Sequence, residues 1–203
     1  DLRRSRGLGD VYKRQSFHDF DGDGLLDLAV ANKERYEGVD QTPAAVAVFR
    51  NAGTTTEPQF DLVDLDWIAL EDFQIESPYP AFGDLDGDGD LDVLVGDELG
   101  RIHEFTNVAP AGAWPEFTLT ALSIPEDGSG EAIDVGQFAT PQLHDMDGDG
   151  DLDMVVGEKN GTLTLFERTS VGTWSEYISP IHGENWGNIC LLYTSPSPRD
   201  LRK

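Results

Sequence analysis

A nine-residue acidic stretch occurs three times, as Asp19 to Asp27 (DFDGDGLLD), Asp84 to Asp92 (DLDGDGDLD) and Asp145 to Asp153 (DMDGDGDLD). Each copy places carboxylates at positions 1, 3, 5 and 9 and glycine at positions 4 and 6. Carboxylates crowded at that spacing repel one another unless a counter-charge sits among them. The pattern suits a hard cation that takes about six to eight oxygens: the side chains converge, the position-7 backbone carbonyl adds a donor, and glycine at 6 permits the sharp turn. Calcium is the natural occupant. A solvated acidic turn would account for one copy. It does not account for three in register, each entering the same kind of apolar run. An EF-hand loop begins alike but needs a bidentate Glu at position 12 and a helix after it. Position 12 here is Val30, Val95 and Val156, in runs rich in β-branched residues, so that reading is excluded.

The motif starts at 19, 84 and 145, and the similarity extends beyond it. Ser16-Phe17-His18, Ala81-Phe82-Gly83 and Gln142-Leu143-His144 precede the loops, and LDLAVAN (26–32), LDVLVGD (91–97) and LDMVVGE (152–158) follow them. These runs have strand length and composition. Lys159-Asn160-Gly161 predicts a two-residue Asn-Gly hairpin turn into TLTLFER, and Leu99-Gly100 plays the same part before RIHEFTN. In the first repeat a longer loop, 33–43, precedes AAVAVFRN. A fourth apolar segment closes each repeat, in 59–70, 116–124 and 175–179. The segment 68–75 (IALEDFQI) reads as strand end and connector. Four antiparallel strands per roughly 60 residues make one propeller blade. The fold class expected is all-β, a partial β-propeller of about three four-stranded antiparallel blades spanning 16–76, 77–137 and 138–189.

The two ends differ in kind from the rest. Ser5 to Gln15 (SRGLGDVYKRQ) and Cys190 to Arg199 (CLLYTSPSPR) are translations of opposite strands of one DNA segment, which resembles a sequencing-library adapter. Residues 1–15 and 190–203 are therefore expected to be non-native tails on a metagenomic piece. Without them the only cysteine, Cys190, disappears, and with it any disulfide or thiol chemistry. Eight of the 14 Lys and Arg lie in those tails but only three of the 39 acidic residues, so the remainder carries a charge of about −30. Such a surface repels nucleic acid and anionic membranes and suits divalent cations. No run approaches the length of a membrane span. Closed propellers need about four to eight blades, so the sequence is expected to be part of a longer propeller. Its outer blade faces would then expose apolar residues such as Val46, Val48, Leu163 and Leu165.

These residues together resemble the FG-GAP and VCBS-type repeats. That pattern runs from an aromatic or apolar pair through D-x-D-G-D-G-x-x-D and an apolar strand to a strand ending near Asn-x-Gly. Phe49-Arg50-Asn51-Ala52-Gly53 and Phe105-Thr106-Asn107 carry the last feature, whereas Phe166-Glu167-Arg168 lacks the Asn. The resemblance implies calcium-binding propeller blades, as in the integrin α-chain head, and secreted or cell-surface proteins. It implies ligand side chains at Asp19, Asp21, Asp23 and Asp27, with the Leu25 carbonyl. The matching sets are Asp84, Asp86, Asp88 and Asp92 with the Asp90 carbonyl, and Asp145, Asp147, Asp149 and Asp153 with the Asp151 carbonyl.

Nothing comparable marks a catalytic centre. His18 and His144 share the slot before the first Asp but Gly83 fills it in repeat 2, so a structural role is expected; His103 and His182 show no partner pattern. No G-x-S-x-G, H-E-x-x-H or phosphate-binding loop is present. Trp67, Trp114, Trp174 and Trp186 recur once per blade or so and read as blade packing rather than sugar platforms. Two functions remain open. One is a non-catalytic adhesion or recognition propeller that presents a surface to an extracellular glycan or protein. The other is the propeller part of a secreted polysaccharide lyase or hydrolase.

Overall fold

The computed structural model describes residues 14–32, 35–37, 40–42, 44–110, 112–126, 130–170 and 173–176. The first sheet begins with β1 (Arg14–His18) and β2 (Asp27–Asn32). A small ribbon of β3 (Arg35–Glu37) and β4 (Asp40–Thr42) interrupts the loop that follows, and β5 (Ala45–Asn51) and β6 (Phe60–Asp64) complete the sheet. The second sheet is β7 (Tyr79–Gly83), β8 (Asp92–Gly96), β9 (Ile102–Asn107) and β10 (Phe117–Ala121). The third is β11 (Thr140–His144), β12 (Asp153–Gly157), β13 (Leu163–Ser170) and β14 (Thr173–Glu176). Each is an antiparallel meander in which neighbours in sequence are neighbours in the sheet, apart from the inserted ribbon. The described residues are thus all-β, with three four-stranded sheets as partial propeller blades. Among the described residues no helix is long and apolar enough to cross a membrane.

The blades stack through rows of apolar side chains, because residues directly opposite in an antiparallel pair share a face. In blade 2, Phe82 pairs with Val93, Val93 with Phe105 and Phe105 with Leu119. This row packs on Ala29, Ala31, Val46 and Val48 of blade 1. The opposite face of blade 2 offers Leu94 and Ile102 to Met154, Val156 and Phe166 of blade 3. Every residue of β8 is buried, as a strand covered on both faces must be. The row in blade 1 that corresponds to Phe82–Val93–Phe105–Leu119 is Phe17–Leu28–Phe49–Leu62. It faces away from blade 2, and Phe17 and Leu62 are about half exposed, at 50% and 51%.

Several expectations change. Val46 and Val48 are fully buried against blade 2, Leu165 is buried and Leu163 is half-buried; on the outer face of blade 1 the exposed apolar residues are Phe17, Phe60 and Leu62. Strand alternation alone does not say which of two apolar faces meets a neighbour. The hairpin after β12 has a three-residue loop, with Glu158 N–H donating to Thr162 O (3.2 Å) and Gly161 N–H to Glu158 O (2.9 Å). Gly161 takes the left-handed bulge position at φ 83°. The connector in 68–75 contains a 3₁₀ turn, Leu70–Phe73, flanked by left-handed Ala69 and Gln74. It lets Leu70 and Ile75 enter the core between blades 1 and 2. The first strand, β1, runs from Arg14, whose Nη1 donates to Pro78 O at 2.7 Å. Residues 1–13 and 190–203 lie outside the described residues.

Candidate metal centres

The three acidic stretches are the β1–β2, β7–β8 and β11–β12 loops, so they lie at the same end of each sheet. Glycines at positions 4 and 6 take positive φ in all three, from 72° at Gly22 to 100° at Gly150. Those values favour glycine and let the loop coil inward. The carboxylates then hold the coil by accepting its amide N–H groups. At position 1, Asp19 accepts from Gly24 (2.8 Å), Asp84 from Gly89 (3.0 Å) and Asp145 from Gly150 (3.2 Å). At position 3, Asp21, Asp86 and Asp147 accept from the position-5 amides at 3.0–3.2 Å. At position 5, Asp23, Asp88 and Asp149 accept from the position-7 amides at 2.9–3.1 Å.

Position 9 is different, because it is buried and one of its oxygens bonds an amide on the third strand. Asp27 Oδ2 accepts from Phe20 N–H (3.0 Å) and Oδ1 from Asn51 N–H (2.8 Å). Asp92 does the same with Leu85 and Asn107, both at 2.8 Å, and Asp153 with Met146 (2.8 Å) and Arg168 (3.1 Å). One carboxylate thus ties the start of each loop to the end of the third strand. Burial pushes the Asp27 and Asp92 carboxyls above the usual range; the backbone hydrogen bonds oppose that shift, and Asp21 and Asp23, or Asp86 and Asp90, reinforce it.

Positions 1, 3 and 9 converge. Asp19, Asp21 and Asp27 each offer an oxygen within 4.8 Å of the others, as do Asp84, Asp86 and Asp92, and Asp145, Asp147 and Asp153. The position-5 carboxylates Asp23, Asp88 and Asp149 are not in these groups, nor are the side chains of Leu25, Asp90 and Asp151 at position 7. The donor set fits a hard divalent cation: every convergent atom is a carboxylate oxygen, on a loop already coiled by its own glycines. In the second loop Asp90 Oδ1 is moreover buried without a hydrogen-bond partner.

The surroundings of the loops hold residues that sequence reasoning passed over. Arg50 Nη2 reaches Asp21 Oδ2 at 2.7 Å and Asp23 Oδ2 at 3.2 Å. His103 is fully buried: its Nδ1 accepts from Ser123 N–H (3.1 Å), which leaves Nε2–H to donate to Asp97 Oδ2 at 3.2 Å. The alignment of Asp97 with Glu158 at the head of each hairpin, DELGR against EKNGT, was the available signal. His18 packs on the rings of Phe82 (5.2 Å) and Phe20 (5.5 Å), and burial lowers its pKa. Trp67 and Trp114 pack on the core between blades 1 and 2, and Trp174 is fully buried in the core between blades 2 and 3. Trp186 and His182 lie outside the described residues. The Asn of the strand-3 ending closes a turn: Asn51 Oδ1 accepts from Gly53 and Gln59 N–H, and Asn107 Oδ1 from Ala109 and Glu116 N–H. Blade 3 has Arg168 there instead, its guanidinium 5.6 Å from the Trp174 ring.

Stacked four-stranded blades, each with a carboxylate-lined loop between its first two strands, define a β-sheet repeat protein of propeller type. Residues 19–95 match the family model of the FG-GAP-like repeat, so over that stretch the chain is similar to FG-GAP-type repeats. The third loop lies beyond the matched residues and repeats the geometry of the first two. No curated protein and no solved structure matches the chain.

Proposed function

We propose that the chain is a calcium-binding segment of a secreted or cell-surface protein whose metal-held blades serve adhesion or ligand recognition. The observation that carries this reading is the threefold recurrence of one buried and two loop carboxylates within 4.8 Å. Three such clusters share one sequence spacing and one pattern of backbone hydrogen bonds. A cation supplied to each would relieve the repulsion among the carboxylates and fix the loop rim. The full ligand set proposed adds Asp23, Asp88 and Asp149 and the carbonyls of Leu25, Asp90 and Asp151, which would turn inward around the ion. The partner is a glycan or protein on an extracellular surface, since the acidic exterior disfavours nucleic acid. An array of extracellular glycans and matrix proteins, probed with the chain in calcium and in chelator, tests the recognition role. Calcium-dependent retention on a defined class supports it; equal or absent retention in both conditions argues against it.

A further inference from the structure

The three loops are not alike in their surroundings. In each blade one residue follows the strand-3 Phe and precedes the amide donor to position 9. In blade 1 that residue is Arg50, whose guanidinium touches Asp21 at 2.7 Å and Asp23 at 3.2 Å. The next amide, Asn51 N–H, bonds Asp27. In blade 2 it is Thr106, whose hydroxyl turns to Thr120 on β10, and the next amide, Asn107 N–H, bonds Asp92. In blade 3 it is Glu167, which lies within electrostatic reach of Asp147, Asp153 and Asp149, and the next amide, Arg168 N–H, bonds Asp153 at 3.1 Å. The same strand position thus carries a cation, a neutral hydroxyl and a carboxylate in turn. Position 7 runs the same way, with Leu25 in loop 1 and Asp90 and Asp151 in loops 2 and 3. Loop 1 therefore gathers four carboxylates and a guanidinium, loop 2 five carboxylates, and loop 3 six.

Resting on the calcium reading above, we propose that this strand position grades the three loops in divalent-cation affinity. Arg50 acts as a built-in counter-ion that makes loop 1 the weakest site, and Glu167 acts as a further carboxylate that makes loop 3 the tightest. Ligand charge count sets affinity at oxygen sites of this kind, and charges beside the ligands add to or offset it through space. The guanidinium lies on Asp21, one of the three convergent carboxylates, so an incoming cation must displace it or meet its charge. An exposed ion pair of this type adds little to folding stability, and its consequence falls on binding instead. Without metal, Arg50 leaves loop 1 the best neutralised of the three. As calcium rises, the blades therefore fill from the third to the first. Arg50 is half exposed, with side-chain exposure of 50%, so salt narrows the spread between sites.

Calcium titration calorimetry of the chelator-stripped full chain tests this with Arg50→Thr, Arg50→Lys, Glu167→Thr and the double variant Arg50→Thr/Asp21→Ala. The wild type is expected to bind in resolved steps. Arg50→Thr should tighten the weakest step about tenfold and Glu167→Thr should weaken the tightest about tenfold. Arg50→Lys should resemble wild type, and the gain from Arg50→Thr should vanish in the double variant, which assigns it to loop 1. Circular dichroism of each variant with saturating calcium confirms that it folds. Calcium uptake that is equal at all sites, or unmoved by both threonine variants, overturns the grading while leaving the calcium reading intact. A wild-type chain that takes up no calcium overturns both.

Discussion

Asp27, Asp92 and Asp153 hold two duties that substitution can separate from those of their neighbours. Each belongs to a convergent carboxylate group, and each satisfies two backbone amides in a buried setting. Asp86, in the same group as Asp92, accepts only an exposed loop amide. In chelator, Asp92→Ala leaves the Leu85 and Asn107 amides without partners and is expected to cost about 2–5 kcal/mol. Asp86→Ala in chelator is expected to stay within about 1 kcal/mol of wild type. Both variants should lose one calcium equivalent. Urea unfolding with and without calcium separates the two cases, and equal costs in chelator would contradict the division of roles. The sequence showed these aspartates as one acidic motif. That one of them is a buried structural tie was not legible, because the tie reaches an amide 15–24 residues away on another strand.

At the scale of elements, strand positions and the acidic loops were legible from alternation and spacing, whereas the hairpins were legible only in part. Asn160-Gly161 signalled a turn, but the number of loop residues depends on where the acid at its head bonds. In the β8–β9 hairpin, Asp97 accepts from Leu99 and Arg101 N–H, from the Arg101 guanidinium and from His103 Nε2. Burial alone would raise this carboxyl, yet the hydrogen bonds from His103 and Arg101 outweigh it and hold the group below its ordinary value of 3.8. A depressed carboxyl contributes stability that is complete above its unfolded pKa and is lost as pH falls through the lower folded value. Asp97→Asn is therefore expected to cost about 2–3 kcal/mol at neutral pH. The gap to wild type should shrink once pH drops below 3.8. Urea unfolding of both chains in chelator, at pH 6 and at pH 3, reads the difference. A gap that is the same at both pH values would show that the charge on Asp97 is not what holds the hairpin. The 3₁₀ turn at Leu70–Phe73 was not legible, since its two left-handed flanks are non-glycine residues imposed by the packing of Leu70 and Ile75.

Over the whole molecule, blade number and stacking follow from the repeat, but the sense of stacking does not. Both faces of each second strand are apolar, and only the packed chain shows that the Phe-bearing row of blades 2 and 3 turns toward the preceding blade. The acidic loops gather at one end of these sheets on a chain with a formal charge of −25. Metal at the loops would remove repulsion where position 9 ties the start of each loop to the third strand. The most direct measurement is calcium bound per chain at saturation, by equilibrium dialysis and elemental analysis, alongside the melting temperature of the same samples. Three calcium ions per chain, with a melting temperature that climbs with free calcium, is the result expected. No bound calcium above the chelated control, with an unchanged melting temperature, would contradict it.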